Sequence, residues 1–467
     1  MERLERREFL RRVGAAGAAM VMPVGARAAG SGGERLNVVI IVIDDLGWAD
    51  LGCYGSKYHE TPNIDLLARE GMRLTEAYAA CPVCSPTRAS LVTGQYPARL
   101  HLTDFLVGTR WPANSPIAPV DWQKGLPPSE MTLARVLKSA GYVTGHIGKW
   151  HLGGEHEVEE FGFDENVAGG QWGTAPSYFS PYKNSKLKDG PEGEYLTDRL
   201  AAEAERFIEQ NRDRPFFLNL CHYAVHIPLR AKAELIAKYE GKGKPAGRVV
   251  DPVYAAMTES VDQCVGRVMR KLEELGIADR TVVMLMSDNG GLSVREGGWQ
   301  PTSNAPLRAG KGFLYEGGVR VPWIVRWPGV VRRGSVCNEP VCSIDVLPTI
   351  LEATGVQRPA GGIVDGCSII PLLRGRSRLN RIALYWHYPH YSNQGGRPGG
   401  AVRCGDYKLI EWYENGAMEL YNLREDLGER RNLVGSMTEK AEELRGMLRQ
   451  WRAEVGAQMP GRRGGGR

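Results

Sequence analysis

The run Cys84-Ser85-Pro86-Thr87-Arg88-Ala89-Ser90-Leu91-Val92-Thr93-Gly94 sets a nucleophilic sulfur beside the signals of a helix start. Pro86 and Thr87 suit the opening of a helix and Gly94 its end, so Cys84 and Ser85 fall at the N-terminal edge. Unpaired backbone N–H groups attract anions there, which makes the edge a place for a nucleophile facing an anionic substrate. Cys81 and Cys84 also have the Cys-x-x-Cys spacing of a redox couple or of half a zinc site. No second such pair and no Cys/His cluster at zinc spacing follows, and Arg88, one helical turn on, serves neither role.

A second set of reactive residues ends two apolar runs. Residues 36–43 are of the kind buried on both faces of a parallel sheet, and they stop at Asp44-Asp45. Residues 281–286 form another such run, leading into Ser287-Asp288-Asn289-Gly290. Ligands of open α/β sheets bind at the C-terminal ends of strands. Asp44, Asp45, Asp288 and Asn289 together offer hard oxygen donors suited to calcium, with magnesium as the alternative.

The eleven-residue run at Cys84 resembles the first signature of the type I, formylglycine-dependent sulfatases, arylsulfatase-like members of the alkaline phosphatase superfamily: Cys-x-Pro-x-Arg, then Ser-Leu-Val-Thr-Gly. Residues 141–151, with Lys149 and His151, resemble the second signature. Residues 216–220 read as a strand leading to His226-Ile227-Pro228, similar to the family's sulfate-binding His-x-Pro, while His222 reads as a packed histidine. The glycine-rich loop 306–322 lacks the Walker spacing but resembles the loop that carries the family's sulfate-binding Lys311.

The resemblance implies that a formylglycine-generating enzyme oxidises Cys84, and that the resulting hydrate attacks a sulfate ester. That conversion also replaces a soft sulfur by oxygen beside a hard cation. The resemblance further implies a metal held by Asp44, Asp45, residue 84, Asp288 and Asn289, and a sulfate clamped by Lys149, Lys311 and His226. His226 would protonate the leaving alcohol and Arg88 would orient the hydrate. His151 would take the proton of its second hydroxyl as sulfate departs.

These residues need a scaffold, and the alternation of runs predicts an α/β fold with a large, mostly parallel sheet flanked by helices. Helices are expected from Thr61-Pro62 to Gly71, from Thr132 to Ala140, along Leu196, Leu200, Phe207 and Ile208, and along a stripe from Tyr254 to Leu275. Another opens at Ser343. Beyond about residue 375, short runs at 382–386, 407–412 and 418–421, with Asn415-Gly416 as a hairpin signal, predict an antiparallel sheet. Ala441, Leu444, Leu448 and Trp451 form one face of a terminal helix. The expected organisation is a catalytic domain at 34–374, a smaller C-terminal unit at 375–457 and a disordered basic tail at 458–467.

Arg6-Arg7 and Arg11-Arg12 before an apolar run and Ala26-Arg27-Ala28 resemble a twin-arginine export signal over residues 1–29, too short in its apolar part to span a membrane. The expectation is a bacterial protein, periplasmic or secreted, exported by the twin-arginine machinery and without an integral membrane segment in its mature form. Of the net charge of +5, six Arg against three Glu in residues 1–28 and three Arg in the tail account for more than all, leaving the body at −1. That balance argues against a nucleic-acid partner. Nine cysteines leave at least one unpaired, and Cys337 with Cys342 is a candidate disulfide. Trp111, Trp122 and the stretch Trp386-His387-Tyr388-Pro389-His390-Tyr391 offer aromatic rings for stacking on sugars, so a sulfated glycan is the expected substrate. The rival readings are a phosphodiesterase or phosphonate monoester hydrolase of the same superfamily, and a glycan-binding protein in which Cys84 stays a thiol.

Overall fold

Strands whose alternate residues are all apolar have no face for water, and they form the centre of the molecule. The structure, a computed structural model, describes residues 35–154 and 156–463; the export segment expected at 1–29 lies outside them. Nine strands make the large sheet: β1 (Asn37–Ile43), β2 (Met72–Tyr78), β3 (Val143–Gly148), β4 (Glu165–Val167), β5 (Phe216–Cys221), β6 (Thr281–Ser287), β7 (Arg320–Arg326), β8 (Ser335–Cys337) and β9 (Val341–Cys342). Their order is β4-β3-β5-β1-β6-β7-β2-β8, with β9 also pairing with β2. Every pairing is parallel except the two made by β7, so the sheet is mostly parallel, as expected.

The two-residue period of β1 divides the core. Val39, Ile41 and Ile43 pack on one side, with helices α1 (Pro62–Glu70), α4 (Leu196–Gln210) and α5 (Pro252–Glu274). Val38, Ile40 and Val42 pack on the other, with α2 (Cys84–Thr93), α3 (Leu133–Ser139) and α6 (Val346–Thr354). Side-chain caps fix two of these starts: Thr132 accepts from the Arg135 N–H, and Asp251 accepts from the Val253 N–H at 2.8 Å. Among the described residues no helix is long and apolar enough to cross a membrane.

A second, antiparallel sheet runs β10 (Ala383–Tyr388), β11 (Gly399–Cys404), β12 (Tyr407–Trp412) and β13 (Met418–Asn422) in sequence order. It is covered by α7 (Thr438–Glu454), whose Ala441, Leu444, Leu448 and Trp451 face inward as the periodicity predicts. β11 is a strand beyond the three runs expected from the sequence. A Cβ on Gly400 would lie 2.3 Å from the Tyr413 hydroxyl, so a strand passing this close to its neighbours has to be made of glycine. The stretch before α2, Tyr78 to Val83, shares a core with Trp386, Leu409 and Leu420 of this sheet.

Two further expectations are corrected. All nine cysteines are free. Cys337 and Cys342 pair with Leu74 and Tyr78, four residues apart along β2, a separation of roughly 13 Å that no disulfide spans. The C-terminal tail is anchored as far as Arg463. The Ala118 N–H donates to the Gly461 carbonyl at 2.7 Å and the Arg463 N–H to the Pro116 carbonyl at 3.1 Å, a strand-like pairing of the described part of the tail; residues 464–467 lie outside the described residues.

Candidate active site

Strand register does most of the positioning. Ile43 pairs with Ser287 and Val42 with Cys221, so Asp44, Asp288 and His222 leave three adjacent strands side by side. The Ser287 hydroxyl accepts from the Leu46 N–H at 3.0 Å and donates to the Asn289 carbonyl at 2.8 Å, which ties the two acidic ends together. Asp45 takes a left-handed backbone at φ 60°, which a non-glycine residue holds only where its surroundings impose it. Its N–H donates to Asp288 Oδ1 at 3.1 Å, and Asn289 Nδ2 donates to Asp45 Oδ1 at 2.7 Å.

Carboxylate oxygens of Asp44, Asp45 and Asp288 lie within 4.8 Å of one another, fully buried. Three such charges repel unless a cation sits among them. Two oxygens beside them, Asp44 Oδ1 and Asn289 Oδ1, are buried and accept no hydrogen bond, a cost that a hard cation would remove. The four residues read from the sequence as a metal set therefore converge, and their chemistry fits calcium or magnesium.

Cys84 opens α2, two residues earlier than the proline signal suggested, and every residue of that helix is buried. Its Sγ lies 3.3 Å from His151 Nδ1. His151 Nε2 lies 2.6 Å from the Leu106 carbonyl, so that nitrogen carries the proton and Nδ1 presents its lone pair to residue 84. Burial, then Lys149, holds the His151 ring neutral. Burial also pushes the Cys84 thiol up, against the pull of Lys149 and Lys311, so an unmodified cysteine here is a protonated, poor nucleophile.

The cations expected at the site arrive with it. Lys149 Nζ donates to Asp44 Oδ2 and Lys311 Nζ to Asp45 Oδ2, both at 2.7 Å, and Lys149 is fully buried. Burial pulls Lys311 down, but the attraction and hydrogen bond of Asp45, together with Cys84 and Asp44, outweigh it and hold the ammonium charged. Burial raises Asp44 despite Lys149; for Asp45 burial acts the same way, but Lys311 and His226 prevail and keep it below the usual carboxylate range. His226 Nε2 faces Asp45 Oδ2 at 3.6 Å, its Nδ1 turned to the Ile227 carbonyl; burial, then Lys311, lowers its pKa to about 3.

Arg88, expected to orient the hydrate, is tied to the acidic residues of the site. Its Nε donates to Asp288 Oδ2 and its Nη1 to the Lys149 carbonyl, both at 2.8 Å, and Nη2 lies 3.7 Å from Asp44 Oδ1. It braces the carboxylates and the Lys149 backbone, and no hydrogen bond joins it to the Cys84 side chain. His222 is buried with its pKa lowered to about 4 by burial, in keeping with a packed histidine.

Sequence reasoning missed the loop that holds His151. Leu106 contributes only backbone: its carbonyl to His151, its N–H to Ser85 Oγ at 3.2 Å. A backbone contact leaves no residue signature. The aromatic expectation narrows as well. Trp386 and Tyr388 are buried in the second sheet, and Trp122 lies against His390 under the Lys124 ammonium. Trp111 and Tyr391, edge to face at 5.2 Å, keep partial exposure.

A mostly parallel sheet with its acidic, lysine-rich end, flanked by helices and joined to a four-stranded antiparallel sheet, is the architecture of the alkaline phosphatase-like hydrolases. Within them, a family model for sulfatases matches residues 36–356 and a model for the C-terminal region of N-sulphoglucosamine sulphohydrolase matches residues 309–454. The chain belongs to the sulfatase family and is a sulfatase. It is 35% identical to a sulfatase of Formosa agariphila over 86% of this chain and 85% of that one. It is 32% identical to human N-acetylgalactosamine-6-sulfatase over 87% and 77%. Among solved structures, Ps i-CgsB in complex with k-i-k-neocarrahexaose shares 30% identity at a TM-score of 0.75, covering 90% of this chain and 93% of that one.

Proposed function

We propose that the protein hydrolyses sulfate esters of a carbohydrate, with Cys84 converted to formylglycine and with a divalent cation, calcium or alternatively magnesium, held by Asp44, Asp45, Asp288, Asn289 and residue 84. The observation that carries this reading is the meeting of a helix-first Cys84 with a buried acidic triad whose neighbouring acceptors are unpartnered. When bound, the cation supplies positive charge that polarises a sulfate oxygen and lowers the pKa of an adjacent hydroxyl. The modified residue supplies that hydroxyl in place of a buried, protonated thiol.

This chain's own residues do the rest. Lys149 and Lys311, fixed by Asp44 and Asp45, present ammonium groups to the sulfate oxygens before the reaction begins, so little reorganisation is needed as charge develops. His226 is neutral in the free protein; the charge of a bound sulfate favours its protonated form and makes Nε2 the donor to the leaving oxygen. His151, held by Leu106 with Nδ1 facing residue 84, is a base in place to take a proton there. Arg88 keeps Asp288 and the Lys149 backbone in register.

Relatives at 30% identity or more include, by their names, a mouse steryl-sulfatase as well as human N-acetylgalactosamine-6-sulfatase and Ps i-CgsB with a neocarrahexaose. Carbohydrate is favoured over other alcohols because the two sugar relatives align with more of this chain, 87% and 90% against 75%. Trp111 and Tyr391 are available for stacking. Export by the twin-arginine machinery to the periplasm or beyond is the matching reading of residues 1–29, with a formylglycine-generating enzyme acting on the chain. The test is sulfate release from a panel of sulfated oligosaccharides, beside an aryl sulfate and the matching phosphate and phosphonate esters. Release from at least one glycan supports the reading. Aryl sulfate cleavage with no glycan turned over removes the carbohydrate, and faster phosphate or phosphonate turnover makes the enzyme a phosphoryl hydrolase.

A further inference from the structure

Between Leu100 and Ile117 the chain passes the site as a loop, and one buried carboxylate shapes it. Asp104 is 1% exposed. Its Oδ1 accepts from the Phe105 N–H at 2.9 Å and the Tyr388 hydroxyl at 3.1 Å; its Oδ2 accepts from the Thr109 N–H at 2.9 Å and the Thr109 hydroxyl at 3.0 Å. Both ends of the segment 104–109 are thereby drawn onto one carboxylate. At its apex Leu106 directs its carbonyl to His151 Nε2 and its N–H to Ser85 Oγ, one residue from Cys84. Gly108, at φ 88°, lets the loop pass under Trp122, where a Cβ would come within 2.7 Å of the ring.

The loop is held from the second sheet too. Tyr388 ends β10, and His390 Nε2 lies 2.8 Å from the Thr103 hydroxyl. A path of short contacts thus runs from the end of β10 through Asp104 and the Leu106 carbonyl to the ring that faces residue 84.

We propose that Asp104 is a positioning residue for His151: by closing the 104–109 loop it holds the Leu106 carbonyl on Nε2, which fixes one tautomer and aims Nδ1 at residue 84. The inference rests on His151 being the base of the proposed function. Only an acceptor on both oxygens meets four donors. An asparagine in either flip sets an NH2 against a backbone N–H, of Phe105 or of Thr109, which cannot accept, so Asp104→Asn opens the loop while keeping its volume. Tyr388→Phe removes one donor and leaves three.

The test combines steady-state kinetics on an aryl sulfate with 15N spectra of histidine-labelled protein, the His151 signals assigned by their loss in His151→Asn. The wild type is expected to show His151 as a single neutral tautomer protonated at Nε2. In Asp104→Asn that signature gives way to a mixture and kcat falls ~10–100-fold with KM within about threefold, the range seen when a ligand-orienting partner is lost. Tyr388→Phe, which should fold even if Asp104→Asn does not, is expected to lower kcat several-fold in the same sense. An unchanged tautomer in both variants, or kcat within about twofold of wild type in Tyr388→Phe and in folded Asp104→Asn, would overturn the proposal. The spectra need no turnover, so a protein without sulfatase activity would defeat the proposed function and still decide the role of Asp104.

Discussion

Two buried clusters of charge in this molecule use the same residue types to different ends. At the junction of the two sheets, Lys408 of β12 lies between Glu316 and Glu429, at 2.9 and 3.0 Å, all three without exposure. The second oxygen of Glu316 takes the Tyr78 hydroxyl at 2.7 Å with Arg320 at 3.4 Å, and that of Glu429 takes the Glu316 N–H at 2.7 Å. Each carboxylate oxygen there has a cation or a donor within 3.0 Å, although Glu429 Oε1, beside Lys408, makes no hydrogen bond. At Asp44, Asp45 and Asp288 the cations are as many, yet Asp44 Oδ1 and Asn289 Oδ1 accept no hydrogen bond. Buried charge is therefore common to a structural joint and to a reactive centre. What separates them is location: at the ends of adjacent parallel strands, two unpartnered acceptors, Asp44 Oδ1 and Asn289 Oδ1, stand beside an acidic triad.

Replacing the residue at the centre of one cluster should cost activity, and at the other stability. Cys84→Ala is expected to lower sulfate ester hydrolysis by at least ~10⁴-fold, the scale of losing a nucleophile, with the melting temperature little changed. Lys408→Met leaves two buried carboxylates without their shared cation and should destabilise the fold by about 3–5 kcal/mol in denaturant titration, while residual folded protein keeps the wild-type kcat. A smaller effect separates them from the solvent side. Calcium at 100 times its dissociation constant should stabilise the wild type by about 2.7 kcal/mol and raise its melting temperature, and should do so far less in Asp288→Asn. Equal stabilisation of both proteins would place the cation elsewhere.

The smallest expected effect is a pH slope. Burial raises Glu429 to about 7 against the attraction of Lys408, with Glu316 repelling it. A carboxyl whose folded pKa exceeds its unfolded value of 4.5 stabilises most when protonated, so its contribution is complete below pH 4.5 and fades as pH climbs through 7. Glu429→Gln should flatten the fall in stability between those values. A wild-type slope of opposite sign in that window would show the carboxylate to be ionised throughout.

The legibility of this protein in its sequence followed the kind of contact. Asp44, Asp45, Asp288 and Asn289 could be placed because unbroken apolar runs end at them, and parallel register then brings the ends together. Lys149, His151, His226 and Lys311 sit in loops or at a strand end with no periodicity to locate them, so only the signature resemblance singled them out. The contacts of Arg88 depend on where Asp288 lies, which its own segment cannot tell. β11 was hidden because its glycines answer to crowding, from Tyr413 at Gly400 and from Glu411 and Trp412 at Gly399, and not to strand propensity. The burial of Trp386 was hidden because an aromatic residue reads alike whether it lines a cleft or fills a core. Leu106 was out of reach altogether, since any side chain could carry its carbonyl.

The proposed function turns on residue 84 being formylglycine, not cysteine, in the working protein. Mass analysis of the tryptic fragment Leu74–Arg88, from protein made beside an active formylglycine-generating enzyme, reads this directly. The expected result is the lighter, aldehyde-bearing fragment, in a proportion that tracks specific activity across preparations. An intact thiol at Cys84 in protein that hydrolyses sulfate esters at full rate, or in every preparation while a control substrate of the same enzyme is converted, would contradict it.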